Sequence, residues 1–264
     1  MPFLEPPLIA RRNLDGLLEL TLGSPELANA ARPGQYVLVQ SALPGSHDPL
    51  LPQPIFFVAA DPAAGTVRLL VSADDPAVAY LAERQLGARI ALFGPLGTPF
   101  AIEPTTRQLL LAGYGPALPA LLFLAAQSVA RRIAVVLLVA GPAAQLPPPV
   151  LLPPDVEYQR SAGPTEGLLD LLGAPVRPGG IPFDAPLVWA DQCCVAVAEP
   201  LLAPLIAAVR AARLRWTRGF AQVILAGAMP CGVGACQCCL IATRAGLRTR
   251  CKDGPVFDLR DLQG

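Results

Sequence analysis

The sequence holds a single histidine and a single lysine, and both scarcities exclude chemistry. With His47 as the sole imidazole, a metalloprotease helix with two histidine ligands cannot be built. A Ser-His-Asp triad would have to use His47, which lies in the turn-like run Pro44-Gly45-Ser46-His47-Asp48-Pro49 and reads as an exposed loop residue. No GxxxxGK precedes the lysine, Lys252, so a P-loop nucleotide hydrolase is out. Charge is scarce too. Only 15% of residues are charged, 20 basic against 20 acidic, whereas a nucleic-acid binder needs a basic surplus on one face. The 53% of hydrophobic residues excludes global disorder. The opening Met1-Pro2-Phe3-Leu4-Glu5 lacks the basic flank and apolar run of a signal peptide, so none is expected. Cysteine is missing from the first 192 residues, and all seven lie between Cys193 and Cys251. A secreted disulfide scaffold would spread them out. The clustering points instead to a local metal site in a reducing, cytoplasmic setting.

At 264 residues the chain has room for two or three small domains. Residues 1–100 read as short strands with Pro/Gly punctuation, at 17–22, 36–40, 55–59, 66–72 and 89–93, with one short helix at 76–86. That spacing suggests a small barrel. From residue 107 the rhythm changes. Gln108-Leu109-Leu110-Leu111-Ala112 is a continuous apolar run, as in a strand buried on both faces. A helix over 118–130 and a strand over 133–139 complete a βαβ unit. A further strand is expected at 185–190 and a helix at 198–213. Residues 109–130 carry no charge, but Gly113, Gly115, Pro116 and Pro119 interrupt them, so no membrane span is expected. The proline-rich stretch 142–154 reads as a surface loop.

The strongest signal is Cys231-Gly232-Val233-Gly234-Ala235-Cys236-Gln237-Cys238-Cys239, with Cys251 twelve positions on. Cys231, Cys236 and Cys239 give C-x4-C-x2-C, the plant-type spacing for a [2Fe–2S] cluster, and Cys251 supplies a fourth thiolate. Two irons bridged by two sulfides need two soft ligands each. Gly232 and Gly234 let the backbone wrap closely and aim N–H groups at sulfur. The alternative is a four-cysteine zinc knot, whose usual paired spacing the loop does not repeat. Cys238, between two proposed ligands, is either a bystander thiol, the reading preferred here, or an alternative ligand. Cys193 and Cys194 read as buried, unreactive thiols following a strand.

On this motif the chain resembles the electron-transfer subunit of class 1B dihydroorotate dehydrogenase, within the ferredoxin-reductase-like superfamily. The resemblance covers nearly the whole chain and rests on Pro33-Gly34-Gln35-Tyr36-Val37, Asp48-Pro49-Leu50-Leu51, Gly94-Pro95-Leu96-Gly97, the cysteine loop, and Cys251-Lys252-Asp253-Gly254-Pro255-Val256-Phe257. It implies an α/β plus β architecture: a flavin-reductase-type β-barrel over residues 1–100, a nicotinamide-type α/β domain over 101–214 and a small C-terminal iron–sulfur module over 215–264. It also implies electron flow from NADH through FAD and the [2Fe–2S] cluster to a dihydroorotate dehydrogenase catalytic subunit in pyrimidine biosynthesis. Pro54 matches the proline of the family's flavin-binding strand.

The flavin and nicotinamide segments depart from the family pattern. Its Arg-Pro-x-Ser stands here as Gln53-Pro54-Ile55-Phe56, and its Gly-Thr as Ala77-Val78. The nicotinamide loop is reduced to Gly113-Tyr114-Gly115-Pro116, and the family's Cys-Gly-Pro aligns with Asp191-Gln192-Cys193. A neutral glutamine does not replace a guanidinium against phosphate, so weak or absent flavin binding is expected. Arg68 and Arg84 are the nearby cations that could compensate. The competing reading is a flavin-free iron–sulfur carrier or scaffold that has lost NADH oxidation. Met229, Pro230, Val233 and Leu240 are the apolar residues that could form a docking surface beside the cluster.

Overall fold

Alternating apolar residues and tight turns build the first sheet of the protein, described here from a computed structural model covering residues 3–42, 48–72, 75, 77–173, 185–213 and 215–262. His47 lies outside these residues. The strands are β1 (Phe3–Leu4), β2 (Leu8–Leu14), β3 (Leu17–Gly23), β4 (Tyr36–Val39), β5 (Gln53–Asp61), β6 (Thr66–Ser72) and β7 (Leu92–Leu96), in the order β1-β7-β4-β5-β6-β3-β2 with antiparallel neighbours. A bridge from Pro7 to Arg89 curls the β2 end back toward the segment before β7. Helices α1 (Pro25–Ala30) and α2 (Val78–Glu83) flank this sheet. α1 starts on Ser24, whose hydroxyl accepts from the Leu27 N–H, and carries Pro25 in its first turn. Strand β5 is buried on both faces. Ile55 and Phe57 enter the core of the first sheet, while Phe56 and Val58 face the second unit and join its apolar cluster.

The second sheet takes β8 (Gln108–Gly113), β9 (Ala134–Gly141), β10 (Val156–Ala162), β11 (Gln192–Val197), β12 (Ala221–Leu225) and a later strand. The helices are α3 (Leu118–Ala130), α4 (Gly167–Gly173), α5 (Pro186–Trp189) and α6 (Leu202–Ala212). After β12 come the hairpin β13 (Leu240–Thr243) and β14 (Gly246–Thr249), then β15 (Val256–Asp258). The order is β10-β9-β8-β11-β12-β15, parallel except for β15. The chain enters at β8, winds outward through β9 and β10, then returns to β11. The carboxyl ends of β8 and β11 therefore form the point where strand order reverses, the usual crevice of such sheets. Helix α3 packs between β5 of the first sheet and β8 and β9 of the second. It is 13 residues long, and no described helix is long and apolar enough to cross a membrane.

Several expectations need correction. Residues 185–190 are not a strand. Pro186 opens the helical turn α5, where its fixed φ and missing N–H are tolerated, whereas a central strand would lose a ladder bond. The buried strand is Gln192–Val197, so Cys193 and Cys194 lie within it rather than after it. The loop that follows this strand is consequently Ala198-Glu199-Pro200, and Asp191-Gln192-Cys193 belongs to the strand's start. Residues 89–93 shift to β7 at Leu92–Leu96, where Pro95 lies beyond the two residues that pair with β1. The 76–86 helix shortens to α2, and 198–213 becomes a 3-10 turn at Glu199–Leu201 followed by α6.

Candidate metal centre

The residues between neighbouring strands β12 and β15 carry five of the seven cysteines. Left-handed backbone at Gly232 (φ 67°), Gly234 (φ 79°) and Gln237 (φ 56°) curls the loop. Glycine at 232 is also a matter of space, because a Cβ there would lie 2.7 Å from a Leu96 methyl and 3.0 Å from one of Leu38. The loop thereby lies directly on β4 and β7. Gly234 donates its N–H to Cys251 Sγ at 3.2 Å, and Arg250 N–H donates to the Cys239 carbonyl at 2.8 Å. Tyr36, fully buried in β4, donates its hydroxyl to the Cys251 carbonyl at 3.2 Å. Burial pushes this phenol well up, with the neighbouring Cys251, Cys239 and Cys231 acting in the same direction.

Cys231, Cys236, Cys239 and Cys251 lie in one neighbourhood. Cys231 interacts with Cys236 and Cys239 with Cys251, while Cys236 also meets Cys238 and Cys231 acts on Cys251 through space. The pairs differ in exposure. Cys239 and Cys251 are buried at 4% and 1%, Cys231 is half-buried, and Cys236 is exposed. Burial pushes the Cys231 thiol up, but N–H groups of Cys236, Val233 and Ala235 and the Cys236 side chain outweigh it and bring it down to about 6. This is a backbone nest preformed for anionic sulfur. Cys251 is pushed up to about 12, first by burial and then by the adjoining Cys239 thiol, against the Gly234 N–H. Among the described residues no three His, Cys, Asp or Glu side chains converge on one metal-sized point. Four thiols brought into one neighbourhood, with backbone N–H groups aimed at sulfur, is the donor chemistry a two-iron, two-sulfide cluster takes. The residues fit a [2Fe–2S] group.

Cys238 is exposed, its thiol donates to the Cys236 carbonyl at 3.5 Å and it also meets the Cys236 side chain. Cys193 and Cys194 are fully buried in β11, Cys193 pushed up to about 12 and Cys194 well above its usual range, both by burial first. Such thiols are inert packing.

Pro54 lines a cleft of about 230 Å³ between the two sheets, at the carboxyl end of β8. Its other walls include Leu17, Leu70, Gly115 and Pro119, and its polar side chains are Ser72, Asp75 and Gln145. None of the described lining residues is arginine or lysine. Asp75 is instead an acid, its carboxyl raised by burial against the opposing Ala77 N–H. Gln53 turns its amide to the Leu51 carbonyl at 2.8 Å. Phe56 is 1% exposed and packs its ring 5.7 Å from that of Tyr36. Neither compensating cation reaches the cleft. Arg68 pairs with the buried carboxylate of Glu19 at 2.8 Å, and Arg84 lies 4.4 Å over the Tyr80 ring. At the strand-order reversal, Tyr114 spans the crevice and its hydroxyl accepts from the Ala198 N–H at 3.0 Å. The cleft is smaller than common ligand sites of about 300–1,000 Å³ and, among the described residues, offers no cation to a diphosphate, so its described lining does not fit FAD. Sequence reasoning did not foresee the Tyr36–Phe56 pair, whose only signal was the aromatic at the serine position.

Residues 227–263 match the iron–sulfur cluster binding domain of dihydroorotate dehydrogenase B. The chain is 30% identical over 257 residues to the dihydroorotate dehydrogenase B (NAD(+)) electron transfer subunit of Geobacillus kaustophilus, covering 95% of this chain and 92% of that protein. The protein of the same name from Bacillus caldolyticus gives the same identity and coverage. Among solved structures, an NADH-dependent reduced ferredoxin–NADP oxidoreductase associated with flavin-based electron bifurcation superposes with a TM-score of 0.73 at 18% identity, over 98% of this chain and 89% of that one. At that identity the likeness shows the fold, which is ferredoxin-reductase-like.

Proposed function

The chain belongs to the family of dihydroorotate dehydrogenase B (NAD(+)) electron transfer subunits, and from that premise we propose that it passes electrons through a [2Fe–2S] cluster to or from a dihydroorotate dehydrogenase catalytic subunit in pyrimidine biosynthesis. The observation that carries this reading is that Cys231, Cys236 and Cys239 of the loop on β4 and β7 meet Cys251, which follows the β13–β14 hairpin, with Cys231 beside Cys236 and Cys239 beside Cys251. In this proposal each pair holds one iron. A bound [2Fe–2S] cluster accepts and gives one electron at a time. The protein's own part is to hold the thiolates, orient them and exclude water. Gly234 and the loop N–H groups stabilise sulfur anions, while Leu38, Leu96 and Tyr36 close the inner side. The Cys236 edge faces outward. The confinement of all seven cysteines to Cys193–Cys251, rather than a spread disulfide framework, supports a reducing, cytoplasmic setting.

Cys238 is given no ligand role. Cys238→Ser is expected to leave iron content unchanged, read as iron and acid-labile sulfide per chain. Loss of iron in this variant would reverse the assignment.

The outward edge has an apolar rim. Val233 is 43% exposed, Leu240 40% and Leu247 65%, whereas Met229 is buried and serves internal packing. On the hairpin Leu240 pairs with Thr249 and Leu247 with Ala242, so alternation puts both leucines on one face. Such a patch suits the core of an interface with the catalytic subunit. Co-expression with a dihydroorotate dehydrogenase catalytic subunit tests the function. Co-purification is expected, and Leu247→Asp should weaken it roughly tenfold or more with iron content intact. A chain that never associates, or a variant that associates as well as wild type, contradicts this surface.

A second reading is favoured by the absence of a cation among the described residues of the cleft and by the buried Phe56: a flavin-free member of this family that carries electrons through the cluster without oxidising NADH itself.

A further inference from the structure

Four arginines share one pocket well away from the cysteines. Arg210 comes from α6, Arg215 and Trp216 from the segment after it, Arg244 from the turn of the β13–β14 hairpin, and Arg260 from the segment after β15. The pocket is about 530 Å³, within the size range of small-molecule sites, and no acidic residue is among its described lining. The nearby carboxylates are engaged elsewhere. Asp261 holds the Arg218 guanidinium, and Asp258 accepts from the N–H groups of Gly219 at 2.6 Å and Arg260 at 2.9 Å. Among the described residues none of the four guanidiniums is in an ion pair, while Arg12 and Arg68 share Glu19 and Arg250 meets Glu199.

Trp216 is fixed in place. Arg260 donates to its carbonyl at 2.8 Å and lies 5.7 Å over its ring, and Phe220 meets the ring edge-on at 6.4 Å. Four like charges in one concavity repel each other, in a chain whose total charge is zero. A multiply charged anion converts that repulsion into attraction. Guanidinium forks match phosphate oxygens two at a time.

We propose that this pocket binds a phosphate-bearing polyanion, with Arg210, Arg215, Arg244 and Arg260 holding its oxygens beside Trp216. The proposal is independent of the electron-transfer reading. Arg244 follows β13, whose four residues separate it from Cys239 by about 13 Å, so its substitution should spare the cluster site.

The test is calorimetric titration of the intact chain at low salt with inorganic tripolyphosphate and, separately, ATP. Saturable binding near one per chain is expected, weakening as salt rises. Arg210→Ala/Arg244→Ala should weaken it at least about tenfold, with iron content and Tm unchanged. If ATP binds more tightly and Trp216→Ala removes the difference, the ligand is a nucleotide. Equal affinities assign the site to polyphosphate itself. Absence of saturable binding up to about 1 mM, or binding indifferent to the arginine substitutions, would overturn the proposal.

Discussion

Replacing Cys239 or Cys251 by serine is expected to strip the chain of iron and to unfold it at a markedly lower temperature. Both side chains lie in the apolar cluster that also holds Tyr36, Phe56, Leu38 and Leu96. A hydroxyl is a poor ligand for iron, and ligand binding by such a site contributes directly to folding. Bound iron should fall below about a tenth of wild type. A loss of several kcal/mol would lower Tm by roughly 10 °C, at about 2–4 °C per kcal/mol for a chain of this size. Thermal unfolding and iron analysis of the two variants, beside Cys238→Ser, check this. Retention of full iron in Cys239→Ser would remove the paired arrangement from consideration.

The second large effect concerns flavin. Protein denatured after purification is expected to release far less than one equivalent of FAD. Among the described residues the cleft beside Pro54 offers a diphosphate no guanidinium or ammonium, and Asp75 stands there as an acid. A charge-assisted phosphate contact contributes about 1.5–3 kcal/mol, so each missing one weakens binding roughly ten- to a hundredfold. Gln53→Arg should raise FAD affinity by about that factor. Gln53→Arg/Phe56→Ser should raise it further, at a stability cost of about 3–5 kcal/mol because Phe56 fills core space against Tyr36. Stoichiometric FAD in the wild-type protein would contradict this and restore the route from NADH to the cluster.

What the sequence made legible follows from the strength of each local signal. C-x4-C-x2-C announces thiolate ligation because spacing within one loop is preserved on folding. Helix α3 and strands β6 and β8 were readable from periodicity and from an uninterrupted apolar run. Residues 185–190 were misread because a short apolar run suits a helical turn and a strand equally, and only Pro186 argued for the turn. Edge strands escaped notice for another reason: β2 carries Arg11, Arg12 and Asn13 on a largely exposed ladder, and β10 is similarly half-solvated. Which thiols lie beside each other could not be read, since Cys239 reaches Cys251 only once the β13–β14 hairpin folds back between them. Nor could the destination of Phe56, because alternation says that Phe56 and Phe57 part company but not which one meets the second sheet. The arginine pocket draws on four separate stretches between residues 206 and 260, which only the topology assembles.

Cys231, Cys236, Cys239 and Cys251 are proposed to hold one two-iron, two-sulfide cluster. Protein purified without oxygen should contain about two irons and two acid-labile sulfides per chain, and one-electron reduction should produce a half-integer spin resonance signal. One zinc per chain, with neither sulfide nor a spin signal, would contradict it.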